Sequence, residues 1–391
     1  MSNWSVEPII GWLLNRGRHI ADPTELLGEI CSRVRAAGMP LDRVNVFIGT
    51  LHPQYFGLSI LWDDGKDVKL SYGKHAQMRT DAFMKSPMTR IMDGERVIRR
   101  RLDDPQQRDF PVLDELAGEG FVDYVLAELL FTSGARNGVS LATRRSTGFS
   151  DHDIAEIERI LHLFAMLMET HTNRDIAANL LDTYLGTISG ARVLEGKIQR
   201  GDGDHIDAVI WFSDLRNSTP LAESLGHEGF LELLNDYFEA TAGAVLEHGG
   251  EVLRFIGDAS LAVFPINDAD QAGAVCRSAL AAACDARERV REVNAIRAGD
   301  QRSEFSYGVG LHRGHVLYGN IGTPARLEFS VVGPAANETA RIEALCKETG
   351  NDVVISETVA RHLPEAPTRL KSLGRQTLRG VGRNIEVFAL Q

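Results

Sequence analysis

Two aspartates mark the richest chemistry in this 391-residue sequence. Asp214 closes the apolar run Ala208-Val209-Ile210-Trp211-Phe212 and opens the turn Leu215-Arg216-Asn217-Ser218-Thr219-Pro220. Asp258 lies in Gly257-Asp258, between two β-type runs that together span Gly249 to Phe264, where a two-residue bend predicts a hairpin. A lone Asp after a strand usually caps a helix or turns a loop. Two of them leaving adjacent strands would meet at one end of a sheet. Such a pair suits a hard cation such as Mg²⁺ and a polyphosphate.

The elements that must position these carboxylates lie at about 205–391. Pro220 suits a helix start, and Phe230, Leu233, Leu234, Tyr237 and Phe238 form an apolar helical face ending at His248-Gly249-Gly250. An Ala-rich helix follows over about Ala269 to Ala298. Strands are expected at Phe305 to Leu311, Val316 to Ile321 and Leu327 to Val332, a helix at Ala335 to Cys346, and strands at Val353 to Ile355 and Ile385 to Leu390. Mixed helices and hairpins predict an α+β sandwich on a mainly antiparallel sheet.

Upstream, residues 1–40 read as helices, with Asp22-Pro23-Thr24-Glu25 as a start signal. Strand patterns follow at Val44 to Ile48, Leu58 to Trp62, Val68 to Tyr72, Tyr124 to Phe131 and Asn137 to Thr143. Ser150 and Asp153 have capping-box spacing before a helix lined by Ile154, Ile157, Leu161, Phe164 and Met168. Arg99-Arg100-Arg101, beside Asp103-Asp104, reads as a solvated loop. His75, His162 and His171 read as isolated surface or packed residues rather than haem ligands. Residues 174–207 read as a connector, helical through Leu185 and loosened at Gly186, Gly190 and Arg200 to Asp204; it either transmits a movement or is a passive dimer-forming linker.

Composition sets limits. The net charge of −12 argues against nucleic acid or anionic lipid as a broad partner, and 43% hydrophobic with 25% charged residues is an ordinary globular mixture. Cys31, Cys276, Cys284 and Cys346 lack metal-type spacing, which predicts a reduced, cytoplasmic chain. The longest apolar run, near Ile160 to Met168, is too short to span a bilayer.

Four motifs in order resemble a class III nucleotidyl cyclase. They are Phe212-Ser213-Asp214, Arg254-Phe255-Ile256-Gly257-Asp258, His312-Arg313-Gly314 running to Gly322, and Gly333-Pro334-Ala335-Ala336-Asn337-Glu338-Thr339-Ala340-Arg341. The resemblance implies a ferredoxin-like α/β sandwich at 205–391, with two divalent cations, Mg²⁺ or Mn²⁺, held by Asp214, Asp258 and the Leu215 carbonyl. It implies that the backbone from Leu215 through Arg216, Asn217 and Ser218 to Thr219 cradles phosphates, that Arg341 stabilises the α-phosphate and that Asn337 orients the ribose. It further implies a head-to-tail homodimer, with the metal residues from one subunit and Arg254, Ser330, Asn337 and Arg341 from the other.

The pair Arg254 and Ser330 stands where adenylyl cyclases of the Ser/Thr subtype carry base contacts, so ATP and cyclic AMP are the expected substrate and product. A guanylyl or pyrimidine cyclase, or a cyclase-fold binding module with little turnover, is the alternative. Asn217-Ser218 replaces the commoner Gly-Phe, and Arg379 or Arg383 stands in for a phosphate-binding Lys whose place Val381 takes. The pattern of helix, antiparallel strands and exit helix at 1–173 resembles a GAF-type sensory domain, with a PAS-like reading open. That domain would either bind a small molecule or serve dimer contact, joined through a connector at 174–204 to the catalytic domain at 205–391.

Overall fold

A computed structural model describes residues 4–363 and 369–391. By contact the chain divides into two units, 1–180 and 181–391.

In the first unit, α1 (Glu7–Asn15) leads to α2 (Pro23–Ala36). The Asp22 carboxylate accepts the Thr24 N–H at 2.7 Å and caps α2, with Pro23 at the first helical position, where its missing N–H costs nothing. Strands β1 (Arg43–Gly49), β2 (Tyr55–Asp63) and β3 (Lys69–Lys74) precede the short helices α3 (Asp81–Met84) and α4 (Met88–Met92). Then come β4 (Val97–Arg101), α5 (Pro111–Gly118), β5 (Asp123–Leu130), β6 (Arg136–Thr143) and the exit helix α6 (Asp151–Leu185). The sheet runs β3-β2-β1-β6-β5-β4, every neighbour antiparallel. Alternation divides its faces: Val44, Val46 and Ile48 pack with Leu26, Leu27, Ile157 and Phe164 of α2 and α6, while Tyr124 and Leu126 pack with Ile91 and Leu113 of α4 and α5. The expected capping box forms, the Asp153 N–H meeting Ser150 Oγ at 3.2 Å and the Ser150 N–H meeting Asp153 Oδ2 at 2.8 Å.

The arginine run departs from expectation. Arg99 to Arg101 is the end of strand β4, not a loop. Arg99 pairs with the buried Asp123 at 2.8 Å, Arg100 with Asp109 at 2.7 Å and Arg101 with Asp103 at 2.8 Å. With each charge matched, the backbone is free to join the β5 ladder.

In the second unit, α7 (Thr187–Leu194) precedes β7 (Gly203–Leu215), α8 (Ser218–Glu247), β8 (Glu251–Ile256), β9 (Ala259–Ile266) and α9 (Ala272–Gly299). Next are β10 (Tyr307–Thr323), β11 (Arg326–Val332), α10 (Pro334–Thr349), β12 (Val353–Ser356), α11 (Glu357–Ala360), β13 (Leu370–Thr377) and β14 (Asn384–Leu390). The sheet runs β13-β14-β12-β10-β7-β9-β8, with β11 pairing β10, and only β10 and β12 pair in parallel among the described strands. Strand β7 sits centrally. Its Val209 and Trp211 face a core shared with Tyr237 of α8 and Ala279 and Ala283 of α9; its Ala208 and Ile210 face a second core with Val331 and Ala335.

The two strands expected at Phe305–Leu311 and Val316–Ile321 are one. The polar segment His312 to His315 stays extended because it pairs with Ile210 to Asp207 of β7. Strand β13 was not anticipated: its exposed, alternating polar residues carry no apolar run. Helix α10 lies in backbone contact with β10. A Cβ on Gly310 would come within 2.6 Å of the Glu343 nitrogen and 2.7 Å of the Thr339 oxygen, so only glycine admits the helix there.

Candidate active site

Asp214 is the last residue but one of β7, opposite Ala259 of β9 and Gly308 of β10. Asp258 is the second residue of the two-residue bend between β8 and β9, after Gly257 at φ 65°. The pairing of β7 with β9 therefore brings both aspartates to one end of the sheet. The Leu215 N–H donates to the Asp258 carbonyl at 3.2 Å, tying the two turns together. Beneath them the Tyr237 hydroxyl donates to Ser213 Oγ at 3.0 Å, which lies 2.8 Å from Ser260 Oγ, a buried hydroxyl chain that pins α8, β7 and β9.

Burial raises the Asp214 pKa above the usual carboxylate range, and the Asp258 charge raises it further, against the opposing pull of Arg216. Two hard carboxylates pressed together in this way fit a divalent cation of the Mg²⁺ or Mn²⁺ type. Such an ion takes one or two protein carboxylates and completes its shell with main-chain, water and phosphate oxygens.

After Asp214 the backbone turns sharply. Asn217 is left-handed, φ 54° and ψ 34°, a conformation in which Asn is the best replacement for glycine. Helix α8 starts at Ser218, and the side chain of Asn217 makes no cap. The amides of Asn217, Ser218 and Thr219 thus have no partner among the described residues at a helix start, where anions are favoured. The expected cradle is narrower than Leu215 to Thr219. The Leu215 N–H is bound to Asp258, and the Arg216 N–H is bound to the Ser306 carbonyl at 2.8 Å. The Arg216 guanidinium turns inward to Glu343 of α10 at 2.8 Å. Arg216 is therefore a positioning residue and not an open phosphate donor.

A second cluster joins β8 to β11. Arg254 Nη1 lies 3.0 and 3.1 Å from the two carboxylate oxygens of Glu328. Ser330, two residues along the same face of β11, is buried, and its hydroxyl has no partner among the described residues. An orphaned buried hydroxyl beside a guanidinium–carboxylate pair is suited to the polar edge of a flat heterocycle.

A third cluster lines an open groove of about 820 Å³ formed by α10 and the turn after β13. Asn337, Arg341, Arg379 and Arg383 are among its residues, and neither Asp214 nor Asp258 is. Arg341 is exposed and makes no ion pair among the described residues, not even with Glu338, three residues before it on α10. Glu338 instead holds Arg383 at 2.8 Å and the buried His312 at 2.9 Å. Burial lowers the His312 pKa to about 4, against the pull of Glu338 beside Nε2, while Nδ1 lies 3.0 Å from Ser356 Oγ.

Glu328 and Glu343 escaped the sequence reading. Glu343 had a local signal, six residues from Asn337 on α10, but partners as distant in sequence as Arg216 for Glu343 and Arg254 for Glu328 are set by the fold.

Residues 203–391 match the family model of the adenylate and guanylate cyclase catalytic domain. This unit belongs to the class III nucleotidyl cyclases. Among similar curated proteins, an adenylate cyclase of Anabaena cylindrica is 34% identical over 158 residues, covering 40% of this chain and 30% of that protein. Adenylate cyclase 1 of Rhizobium meliloti is 26% identical over 184 residues, covering 46% of this chain and 27% of that protein. The chain thus spans less than a third of the length of either relative. Among solved structures, the guanylyl cyclase Cya2 is similar at 29% identity and a TM-score of 0.42, over 48% of this chain and 93% of that one.

The first unit holds a cavity of about 380 Å³ between its sheet and α3 to α5, lined by Arg43, Asn45, Phe47, Phe83, Tyr124 and Ser140 among others. None of His75, His162 and His171 lines it. No described helix is long and apolar enough to cross a membrane.

Proposed function

We propose that the chain is an adenylate cyclase, converting ATP to 3′,5′-cyclic AMP and pyrophosphate, with its activity set by a GAF-like N-terminal domain. The observation that carries this reading is the joining of two carboxylates at one sheet end, one of them raised in pKa by burial and by its neighbour, within a class III cyclase domain.

Asp214, Asp258 and the Leu215 carbonyl would hold two divalent cations, Mg²⁺ or Mn²⁺, which would lower the cost of ionising the 3′-hydroxyl and offset charge on the leaving pyrophosphate. The chain's own groups do the rest. The amides of Asn217, Ser218 and Thr219 bind the β- and γ-phosphates, and Arg379 adds a positive charge. The 3′-oxygen bonds to the α-phosphorus as the bond to the bridging oxygen breaks, and Arg341 meets the charge gathering on the α-phosphate. Asn337 fixes the ribose. Arg254 and Ser330 contact the base.

That neither aspartate lines the Asn337–Arg341 groove supports a head-to-tail homodimer with two composite sites. Phe255, Ile256 and Val332 stand exposed beside these clusters, as apolar surface that a second copy would cover. The division into a sensory domain at 1–173, a connector at 174–204 and a catalytic domain at 205–391 belongs to the same reading, as do a small-molecule ligand in the first unit's cavity and a cytoplasmic location.

One observation favours a second reading. The Glu328 carboxylate beside Arg254 is an acceptor of the kind that guanine's N1–H and amino group require. Product formation by the full chain with Mn²⁺ and ATP, GTP, CTP and UTP at equal concentration, resolved by mass, decides between them. Cyclic AMP as the dominant product is expected. Dominant cyclic GMP would overturn the base assignment, and no cyclic product from any nucleotide would overturn the enzyme.

A further inference from the structure

Outside the three clusters, the most buried acid of the second unit is Glu251, the first residue of β8, with 1% of its surface exposed. An ionised carboxylate is tolerated there only if its oxygens are fully paired. One oxygen accepts the main-chain N–H and the hydroxyl of Ser189, each at 2.8 Å. The other accepts the Tyr318 hydroxyl, which also lies 2.9 Å from Ser189 Oγ.

Ser189 is in the first turn of α7, where main-chain N–H groups have no partner within the helix. Glu251 therefore caps α7 from a strand 62 residues away. Gly186, which joins α6 to α7, is left-handed at φ 89°, and a Cβ there would lie 2.8 Å from Glu251 Oε1. Arg192, further along α7, stacks 4.9 Å over the Tyr318 ring. The connector is thus not loosened at Gly186; the glycine lets it dock.

Of the two strands held by this dock, β8 bears Arg254, and β10 pairs with β11, which bears Glu328 and Ser330. Arg254 is three residues beyond Glu251 on β8. Tyr318 adjoins Gly319, which pairs with Ser330, and Tyr318 packs edge-on against Phe329 at 4.7 Å. A shift of α7 would therefore move β8 and the β10–β11 hairpin against each other at their base-facing ends.

We propose that Glu251, Ser189 and Tyr318 are positioning residues through which docking of α7 sets nucleotide affinity and base selectivity. This rests on the reading of Arg254 and Ser330 as base contacts. Coupling of this kind is reciprocal: nucleotide must tighten the dock by the factor with which the dock tightens nucleotide.

The test uses the full chain with 3′-deoxy-ATP, which lacks the attacking hydroxyl, and Mn²⁺. Binding is measured by calorimetry and docking by hydrogen exchange of the α7 amides, for the wild type, Ser189→Ala, Ser189→Thr and Glu251→Gln. Ser189→Ala and Glu251→Gln are expected to weaken binding roughly fivefold or more and to narrow the preference over 3′-deoxy-GTP, with Ser189→Thr restoring both. In the wild type the nucleotide is expected to slow exchange of α7 by a matching factor. If Glu251→Gln fails to fold, the two Ser189 variants decide. Faster α7 exchange in Ser189→Ala with unchanged binding and selectivity would reduce the cluster to a structural cap and overturn the proposal. A wild type that binds neither nucleotide would instead overturn the site reading, and the proposal with it.

Discussion

Asp214 carries a charge that the fold alone disfavours, since burial and Asp258 both raise its pKa. Asp214→Asn should therefore leave the melting temperature in chelator unchanged or higher, abolish the rise that Mn²⁺ gives the wild type, and remove product formation; thermal denaturation with and without Mn²⁺ checks this. The Arg216–Glu343 pair behaves differently. Both side chains are largely buried, and burial pushes Glu343 up to about 7 despite the guanidinium 2.8 Å away. Arg216→Ala, which strands that acid, should cost about 3 kcal/mol in urea unfolding. His312 gives a pH dependence. Its pKa falls from 6.5 to about 4 on folding, so the unfolded chain takes up the proton first as pH drops. Its contribution is complete above 6.5 and declines from there toward pH 4, and His312→Gln should flatten the urea midpoint over that window. The placement of Asp214 and Asp258 at strand ends and of Asn337 and Arg341 on one helix was legible because each motif is local. Glu328 and Glu343 were not, because their roles come from partners on other strands and helices.

At the scale of elements, periodicity located most strands and helices, since alternate burial on β1 and β7 and the apolar stripe on α8 are written in adjacent residues. It failed where pairing overrode composition. Strand β4 ends in three arginines that each find an acid, Arg99 the buried Asp123 of β5, and β10 runs unbroken through His312 to His315 because β7 lies alongside. The glycines of β10 had a meaning invisible before α10 was seen against them. Gly310→Ala would press a methyl group onto helix backbone, which cannot yield as a side-chain tip can. It should destabilise the second unit by about 2 kcal/mol or more, as read from urea unfolding, and displace Asn337 and Arg341 enough to lower turnover.

For the whole molecule, the proposed head-to-tail dimer would join residues that one chain keeps in separate clusters: the aspartates at the end of β7 and β9, and Asn337 with Arg341 in the α10 groove. The most direct test is co-expression of two full-length variants, Asp214→Ala and Arg341→Ala, each inactive alone. In a head-to-tail dimer the mixed species carries one site with both defects and one with neither. Random pairing then predicts recovery of about a quarter of wild-type cyclic nucleotide formation in Mn²⁺. Activity of either variant by itself, or no recovery from mixed dimers isolated by two different affinity tags, would contradict the composite site.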